Sequence, residues 1–193
     1  QNRAESLWHA MPPRFTAWSL DSHPNKPLAN KLRGWMTKSL FFHGGFGRGK
    51  TGLAVGILRE CIFTYFAPRC YFVHVPDLLA ALRNSYHDKE GATEQLILNK
   101  YSTADVVVLD DLGAEQITGS GWVEDRLYQI IGHRHDEFLP IIFTSNLPPQ
   151  ALAERIGERI IWRIVEMCEP DGVIEVKGPN LRDKKPGLAQ KVG

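Results

Sequence analysis

The chain has 193 residues, a formal net charge of +1, 43% hydrophobic residues and 23% charged residues. This length and composition predict about one domain with a sizeable core, which excludes a chain that is disordered throughout. A net charge this close to zero excludes a globally basic nucleic-acid binder, so any DNA contact must come from a local basic surface.

The cysteines and the apolar runs indicate a cytoplasmic location. Cys61, Cys70 and Cys168 are odd in number and have no C-x-x-C spacing, so we expect buried free thiols and neither a disulfide nor a zinc site. No apolar run in the sequence approaches the length of a membrane span, and the N-terminus lacks a signal-peptide pattern. We therefore expect a cytoplasmic protein without membrane contacts.

The N-terminal region, 1–38, is weakly patterned and is expected to form a strap and linker in which Asp21–Pro27 is a turn or loop. A core follows over 39–182, and a flexible basic tail is expected over 183–193. Five β-branched or aromatic runs predict strands: Ser39–His43, Cys70–Val75, Val106–Asp110, Pro140–Thr144 and Val173–Val176. Helical patterns between them predict a parallel α/β sheet covered by helices.

A complete phosphate-binding pattern, G-x-x-x-x-G-K-T, lies between the first strand and the first long helix. Its glycines let backbone N–H groups surround a phosphate, while Lys50 would reach the β- and γ-phosphates and Thr51 would bind Mg²⁺. A glycine-rich turn that only links a strand to a helix is the simpler alternative, but the complete pattern in this context favours nucleotide binding. The predicted loop residues are Gly44, Gly45, Phe46, Gly47, Arg48, Gly49, Lys50, Thr51 and Gly52.

Apolar periodicity predicts the later helices. They are Pro76–Ser85, Gly91–Tyr101, Trp122–Phe138 and Ala151–Met167. In the third, Val123, Leu127, Ile130 and Ile131 form the apolar stripe, and charged residues including Arg134 are expected away from it.

Two carboxylates end the third predicted strand. Asp110 is expected to hold Mg²⁺ through water, and Asp111 to orient and deprotonate an attacking water. A pair of solvated acids at a strand end is the alternative, which their position downstream of a phosphate loop makes less favourable.

The fourth strand ends in Thr144-Ser145-Asn146. Such a strand end can place a hydrogen-bonding group near the γ-phosphate, with Asn146 the first choice and Thr144 the second. Polar residues of this kind also simply end strands and begin turns.

Arginines at 155, 159 and 163 are spaced four apart, which predicts one face of a single helix. One of them could complete the site of a neighbouring subunit by neutralising charge during phosphoryl transfer. An ordinary surface face paired with Glu154, Glu158 and Glu166 is the alternative.

These motifs, in this order, resemble the AAA+ ATPase domain of bacterial replicative helicase loaders of the DnaC/DnaI type and the related IstB-type transposition helpers. The resemblance runs from Met11-Pro-Pro-Arg-Phe15 to Asn180-Leu-Arg182, and its most specific parts are Leu109–Gly113, Thr144–Leu147 and Arg155–Arg163. It implies a P-loop three-layer sandwich with sheet order 5-1-4-3-2 and ATP or ADP with Mg²⁺. As a departure from the wider AAA+ pattern, too few residues follow the last predicted strand for a full C-terminal helical lid. A full second sensor is then not expected, and Arg182 is the candidate for a partial one.

The resemblance also implies roles for further residues. Arg163 is the first choice for the trans arginine and Arg159 the second. Arg14 and Phe15 would lie near the nucleotide base, although packing of Phe15 and Trp18 on the core is an equal alternative. Because the second acid is Asp111 where most AAA+ enzymes carry Glu, we expect slow hydrolysis.

The implied function is ATP-driven loading of a replicative helicase onto single-stranded DNA, with self-assembly into a ring or filament. The helicase would be gripped by an upstream domain outside this chain. A loop with Arg83, Tyr86, His87 and Lys89 is a candidate DNA contact, although a solvated loop is the simpler reading. A transposition helper and a slow nucleotide-dependent assembly switch stay open, while a small-molecule kinase fits the motifs less well.

Overall fold

The computed structural model describes residues 4–5, 8, 11–35, 38–86, 93–114, 121–168 and 170–182. Its strands are β1 (Leu40–His43), β2 (Cys70–His74), β3 (Val106–Asp110), β4 (Ile141–Ser145) and β5 (Val173–Glu175). They form one parallel sheet in the order β2-β3-β4-β1-β5. Read from the other edge, this is the order 5-1-4-3-2, so the predicted topology is confirmed.

A 3₁₀ turn (Pro13–Phe15) and several helices surround this sheet in the described part of the chain. The helices are α1 (Lys26–Lys31), α2 (Lys50–Phe63), α3 (Val75–Asn84), α4 (Glu94–Ser102), α5 (Trp122–Asp136), α6 (Pro149–Ile156) and α7 (Glu158–Cys168). None of the described helices is long and apolar enough to cross a membrane. The described residues after β5, 176–182, form no helix.

The core has two halves, one on each face of the sheet. Successive strand residues point to opposite faces, so Phe41 and Phe42 enter different clusters. One face is covered by α2 and the N-terminal segment, and the other by helices from α3 to α7. This is the predicted three-layer sandwich. The three cysteines are buried and free, as predicted.

The prediction of a single helix over 151–167 is wrong. Gly157, with φ +93° and ψ 139°, separates α6 from α7, and this backbone conformation is strained for any residue with a Cβ. Arg155 therefore lies on α6, whereas Arg159 and Arg163 lie on α7. The three arginines do not share one helix face.

Two local predictions also need correction. The expected loop over 21–27 already contains the start of α1, because the side chain of Asn25 accepts a hydrogen bond from Leu28 N–H and caps that helix. Arg134 is fully buried and not on the polar side of α5. The predicted tail over 183–193, the helix start at Gly91, and His87 and Lys89 all lie outside the described residues.

Candidate nucleotide-binding site

The phosphate loop connects β1 to α2 at the carboxyl edge of the sheet. Gly49 precedes α2 with φ +88°, a left-handed conformation that glycine adopts without strain. The first N–H groups of α2 have no carbonyl partner within the helix, and the helix dipole is positive at this end. The loop therefore presents backbone donors of the kind that bind phosphate.

Lys50 is 6% exposed, and its ammonium group is held inside the loop. Nζ donates to the carbonyl oxygens of Gly44 and Gly45 at 2.7 and 2.9 Å and to Oδ1 of Asn146 at 2.8 Å. Burial lowers the pKa of Lys50. Anionic phosphate oxygens are stronger acceptors than these neutral groups, so Lys50 is positioned to transfer its hydrogen bonds to a nucleotide. The predicted sensor Asn146 lies beside it.

The segment after β5 crosses the same loop. Leu181 N–H donates to the carbonyl oxygen of Gly47 at 2.8 Å. The positive charge of Arg182 lies close enough to oppose protonation of Lys50. This places Arg182 near the phosphate loop, but its assignment as a sensor stays a prediction.

Asp110 is 0% exposed and lies at the end of β3. Its Oδ1 accepts from the hydroxyls of Thr51 and Thr144 at 2.8 and 2.7 Å. Its Oδ2 is buried without a well-directed donor. Burial, above all, raises the pKa of Asp110, and the charge of Asp111 adds to this effect. A nearby cation would reverse it by favouring the carboxylate.

These residues fit a magnesium ion. The Thr51 hydroxyl and the Asp110 carboxylate supply the hard oxygen ligands that Mg²⁺ prefers, and the free lone pairs of Oδ2 can also accept a hydrogen bond from a water on the ion. Bound Mg²⁺ would supply positive charge to the nucleotide phosphates.

Thr144 joins the two acids. Its Oγ1 donates to Asp110 and accepts from the N–H of Asp111 at 3.0 Å. Asp111 has φ +57°, an uncommon value for a residue with a side chain, and such conformations concentrate at functional sites. Thr144 thus holds the turn that carries Asp111, a role that differs from the γ-phosphate sensor considered in the sequence analysis.

His74 is a site residue that the sequence analysis missed. It ends β2 in register with Asp110, and its Nδ1 lies 2.9 Å from Asp110 Oδ2. Its Nε2 lies 2.8 Å from a guanidinium nitrogen of Arg14. Because a guanidinium group only donates, Nε2 must accept, and the ring proton lies on Nδ1 facing Asp110. The order of neighbouring strands was a signal that could have identified His74.

His74, Asp110 and Asp111 also bring ligand atoms within 4.8 Å of one another. A metal ion at this cluster would need the lone pair of a histidine nitrogen. The tautomer set by Arg14 leaves no lone pair on Nδ1. The arrangement therefore favours a positioning role for His74 over direct metal binding.

Arg14 and Phe15 belong to the N-terminal 3₁₀ turn. Phe15 is 4% exposed and packs on Phe72 with ring centroids 5.0 Å apart. The Arg14 guanidinium lies 4.4 Å from the centre of the Phe15 ring. Phe15 therefore packs on the core, which was the alternative considered in the sequence analysis. A contact with the nucleotide base stays a prediction for both Arg14 and Phe15.

Arg159 and Arg163 stack on one aromatic ring. Their guanidinium carbons lie 4.6 and 4.5 Å from the centre of the Tyr128 ring in α5. Within the described residues, no ion pair joins these arginines or Arg155 to the glutamates at 154, 158 and 166; Glu166 pairs instead with His135 at 3.0 Å. The salt-bridged alternative is therefore not what holds these arginines in place.

The candidate DNA loop is tied to α4 and α5. Arg83 lies 4.8 Å from the Trp122 ring. The hydroxyl of Tyr86 donates to Glu94 at 2.8 Å and accepts from Trp122 at 3.2 Å and Arg126 at 3.1 Å. Tyr86 still exposes 55% of its surface. Cationic and aromatic groups therefore lie together on an accessible surface.

Comparison with known proteins gives one consistent assignment. The family profile described as "IstB-like ATP binding protein" matches residues 28–189. The replicative helicase loader DnaI of Bacillus subtilis is 32% identical over 158 residues, 75% of this chain and 48% of that protein. The chain spans about half the length of the curated relatives it matches.

Two solved structures share the fold. The crystal structure of the DnaC helicase loader has a TM-score of 0.74 at 26% identity, covering 86% of this chain and all of that one (100%). The crystal structure of DnaI has a TM-score of 0.71 at 31% identity, covering 93% and 100%. The profile match, the P-loop geometry and these neighbours agree: the chain belongs to the IstB-like ATP-binding protein family.

Proposed function

We propose that this chain binds and hydrolyses ATP as the AAA+ domain of a DNA replication protein that loads a replicative helicase onto single-stranded DNA. The observation that carries the proposal is the meeting of Lys50, Asp110 and Asn146 at the carboxyl edge of one parallel sheet. Relatives named as helicase loaders support the biological context.

Each residue has a defined task in the proposed hydrolysis. Lys50 and the loop N–H groups bind the β- and γ-phosphates, and Thr51 with Asp110 holds Mg²⁺. Asp111 accepts a proton from the attacking water, whose oxygen bonds to the γ-phosphorus as the bond to the bridging oxygen breaks. The products are ADP and phosphate. Asn146, beside Lys50, contacts the γ-phosphate and responds to its loss.

Arg163, or secondly Arg159, would act on the site of a neighbouring subunit in a ring or filament. Mixing two variants tests this. Lys50→Ala should bind no ATP but still supply the arginine, whereas Arg163→Ala should bind ATP without supplying it. Turnover that is absent from each variant and restored in the mixture supports a trans arginine, and an inactive mixture contradicts it.

The DNA contact is proposed for the surface formed by Arg83, Tyr86, Trp122 and Arg126. Stacking on exposed aromatic rings and ion pairing with phosphates are the two contributions that bind single strands. Replacing Arg83 and Tyr86 by Ala should weaken binding of a single-stranded oligonucleotide at constant salt, while Lys31→Ala, an exposed change on α1, should not. Equal binding by the double variant would remove this surface from the proposal.

ATP turnover measured against protein concentration, with and without single-stranded DNA, separates the proposed functions. Turnover that rises more than linearly and responds to DNA supports an assembling ATPase. Tight ATP binding with linear or absent turnover favours a nucleotide-dependent assembly switch. A transposition helper would share the motifs of this site and differ in its partner, so co-purification with purified helicase or transposase is needed to distinguish the two.

A further inference from the structure

The N-terminal segment Trp18–His23 packs into a face of α2 where glycines replace side chains. Gly52 and Gly56 are four apart and lie on one side of α2, and Gly49 lies directly before the helix. A Cβ would lie 2.6 Å from His23 Nε2 at Gly49, 2.1 Å from Trp18 Cζ3 at Gly52 and 2.8 Å from the Leu20 nitrogen at Gly56. The glycines are therefore what allows this segment to reach the phosphate loop.

His23 makes the contact at the loop itself. It is 3% exposed, and both of its ring nitrogens have backbone partners. Asn25 N–H donates to Nδ1 at 3.1 Å, and Nε2 lies 3.0 Å from the carbonyl oxygen of Gly49. Since Nδ1 accepts, the ring proton must lie on Nε2, which donates to Gly49. Burial lowers the pKa of His23, with the charge of Lys26 a smaller contribution, and this favours the neutral ring that the geometry requires.

The Gly49 carbonyl controls the direction of a phosphate-binding group. The same oxygen accepts from Leu53 N–H at 3.0 Å as the first acceptor of α2. A peptide unit is planar, with its C=O and N–H pointing in opposite directions. Fixing the Gly49 carbonyl therefore fixes the N–H of Lys50, which belongs to the same peptide unit and points into the loop.

We propose that His23 is a positioning residue for the phosphate loop, which it holds in the nucleotide-binding conformation through the Gly49 carbonyl. The inference rests on the proposed ATP binding. It makes the N-terminal segment part of the nucleotide site, although His23 itself touches no phosphate.

Three variants test this role by measuring affinity for a fluorescent ATP analogue and the urea midpoint of unfolding. His23→Leu removes the donor and should weaken binding about tenfold, the ratio expected for one hydrogen bond. His23→Gln places an amide N–H near the Nε2 position and should recover most of the affinity. Leu20→Ala, the matched control on the same glycine face, should lower the midpoint but leave affinity within about twofold, because it leaves the Gly49 hydrogen bond in place.

The outcomes separate the inference from the proposed function. If the parent chain binds no ATP, the proposed function fails. If the parent binds and His23→Leu binds equally well, the positioning role is overturned. It is also overturned if Leu20→Ala weakens binding as much as His23→Leu does. Should His23→Leu not fold, His23→Asn replaces it: its shorter side chain does not reach Gly49, so affinity equal to that of His23→Gln contradicts the inference.

Discussion

The imidazole of His74 connects Arg14 to Asp110, with Nε2 lying 2.8 Å from the Arg14 guanidinium and Nδ1 lying 2.9 Å from the Asp110 carboxylate. The 3₁₀ turn at the N-terminus is thereby linked to the acid that we expect to hold Mg²⁺. Groups that orient a metal ligand commonly change metal affinity by about 10- to 100-fold when removed.

We therefore expect His74→Ala to raise the Mg²⁺ concentration needed for half-maximal ATP binding by about tenfold. Binding of ATP in excess EDTA should be unchanged, because it depends on Lys50 and the loop. His133→Ala, which changes an exposed histidine of α5, is the control. An unaltered Mg²⁺ dependence in His74→Ala would show that the ring does not position Asp110.

Thr144 is expected to hold both acids through its hydroxyl. Thr144→Val keeps the shape of the side chain but removes the donor to Asp110 and the acceptor for Asp111 N–H. We expect a loss of about 1–3 kcal/mol in the free energy of unfolding, measured in urea, together with reduced ATP turnover. Thr144→Ser retains the hydroxyl and should stay close to the parent in both. Equal stability of the Val and Ser variants would contradict this role.

Tyr128 is expected to orient Arg159 and Arg163, since both guanidinium groups lie over its ring. Tyr128→Leu removes the stack, worth about 0.5–2 kcal/mol for each cation, while Tyr128→Phe keeps it. If the arginines act in trans, ATP turnover at high protein concentration should fall in the Leu variant and be preserved in the Phe variant. ATP affinity should be the same in both, which distinguishes this effect from damage to the phosphate loop.

Sequence patterns predicted the parts of this protein whose chemistry requires fixed residue types at fixed spacing. Lys50, Thr51 and Asp110 lie together at the edge of the sheet where the spacing of the phosphate loop and the strand-end acids predicted them, and the strand order followed from the resemblance. His23 and His74 were missed because their roles arise only when separate segments pack together. The break at Gly157 was missed because apolar periodicity continues across it.

Arg134 was also misplaced by the sequence analysis, because apolar periodicity does not show where a charged side chain finds hydrogen-bond partners. Its guanidinium donates to five backbone carbonyls, those of Tyr101, Ser102, Ala104, Asp105 and Pro140. Burial lowers its pKa to about 10. These bonds fix the end of α4 and the segments that lead into β3 and β4.

Arg134→Met should therefore destabilise the protein by about 3–5 kcal/mol in urea unfolding, because it leaves buried carbonyls without donors. Arg134→Lys should recover only part of this loss, since an ammonium group has fewer donors in a different geometry. A Met variant as stable as the parent would mean that water replaces the guanidinium.

The lowered pKa of His23 also predicts how the stability of the protein depends on pH. Burial lowers its pKa in the folded protein below the ordinary value of 6.5. Between these two pKa values the unfolded chain binds more protons than the folded one. The contribution of His23 to the free energy of unfolding is therefore fully present above the ordinary pKa and is lost as pH falls through the folded pKa. Protonation would also place a hydrogen on Nδ1, opposite the N–H of Asn25.

The urea midpoint of the parent should consequently fall on acidification more steeply than that of His23→Gln. His135 acts in the opposite direction, because its hydrogen bond to Asp136, first, and its contact with Glu166 raise its pKa. Its contribution is present at low pH and lost as pH rises, and it is common to both proteins, so it cancels in the comparison. If the urea midpoints of the two proteins change with pH in parallel, folding does not lower the pKa of His23, which would contradict the prediction.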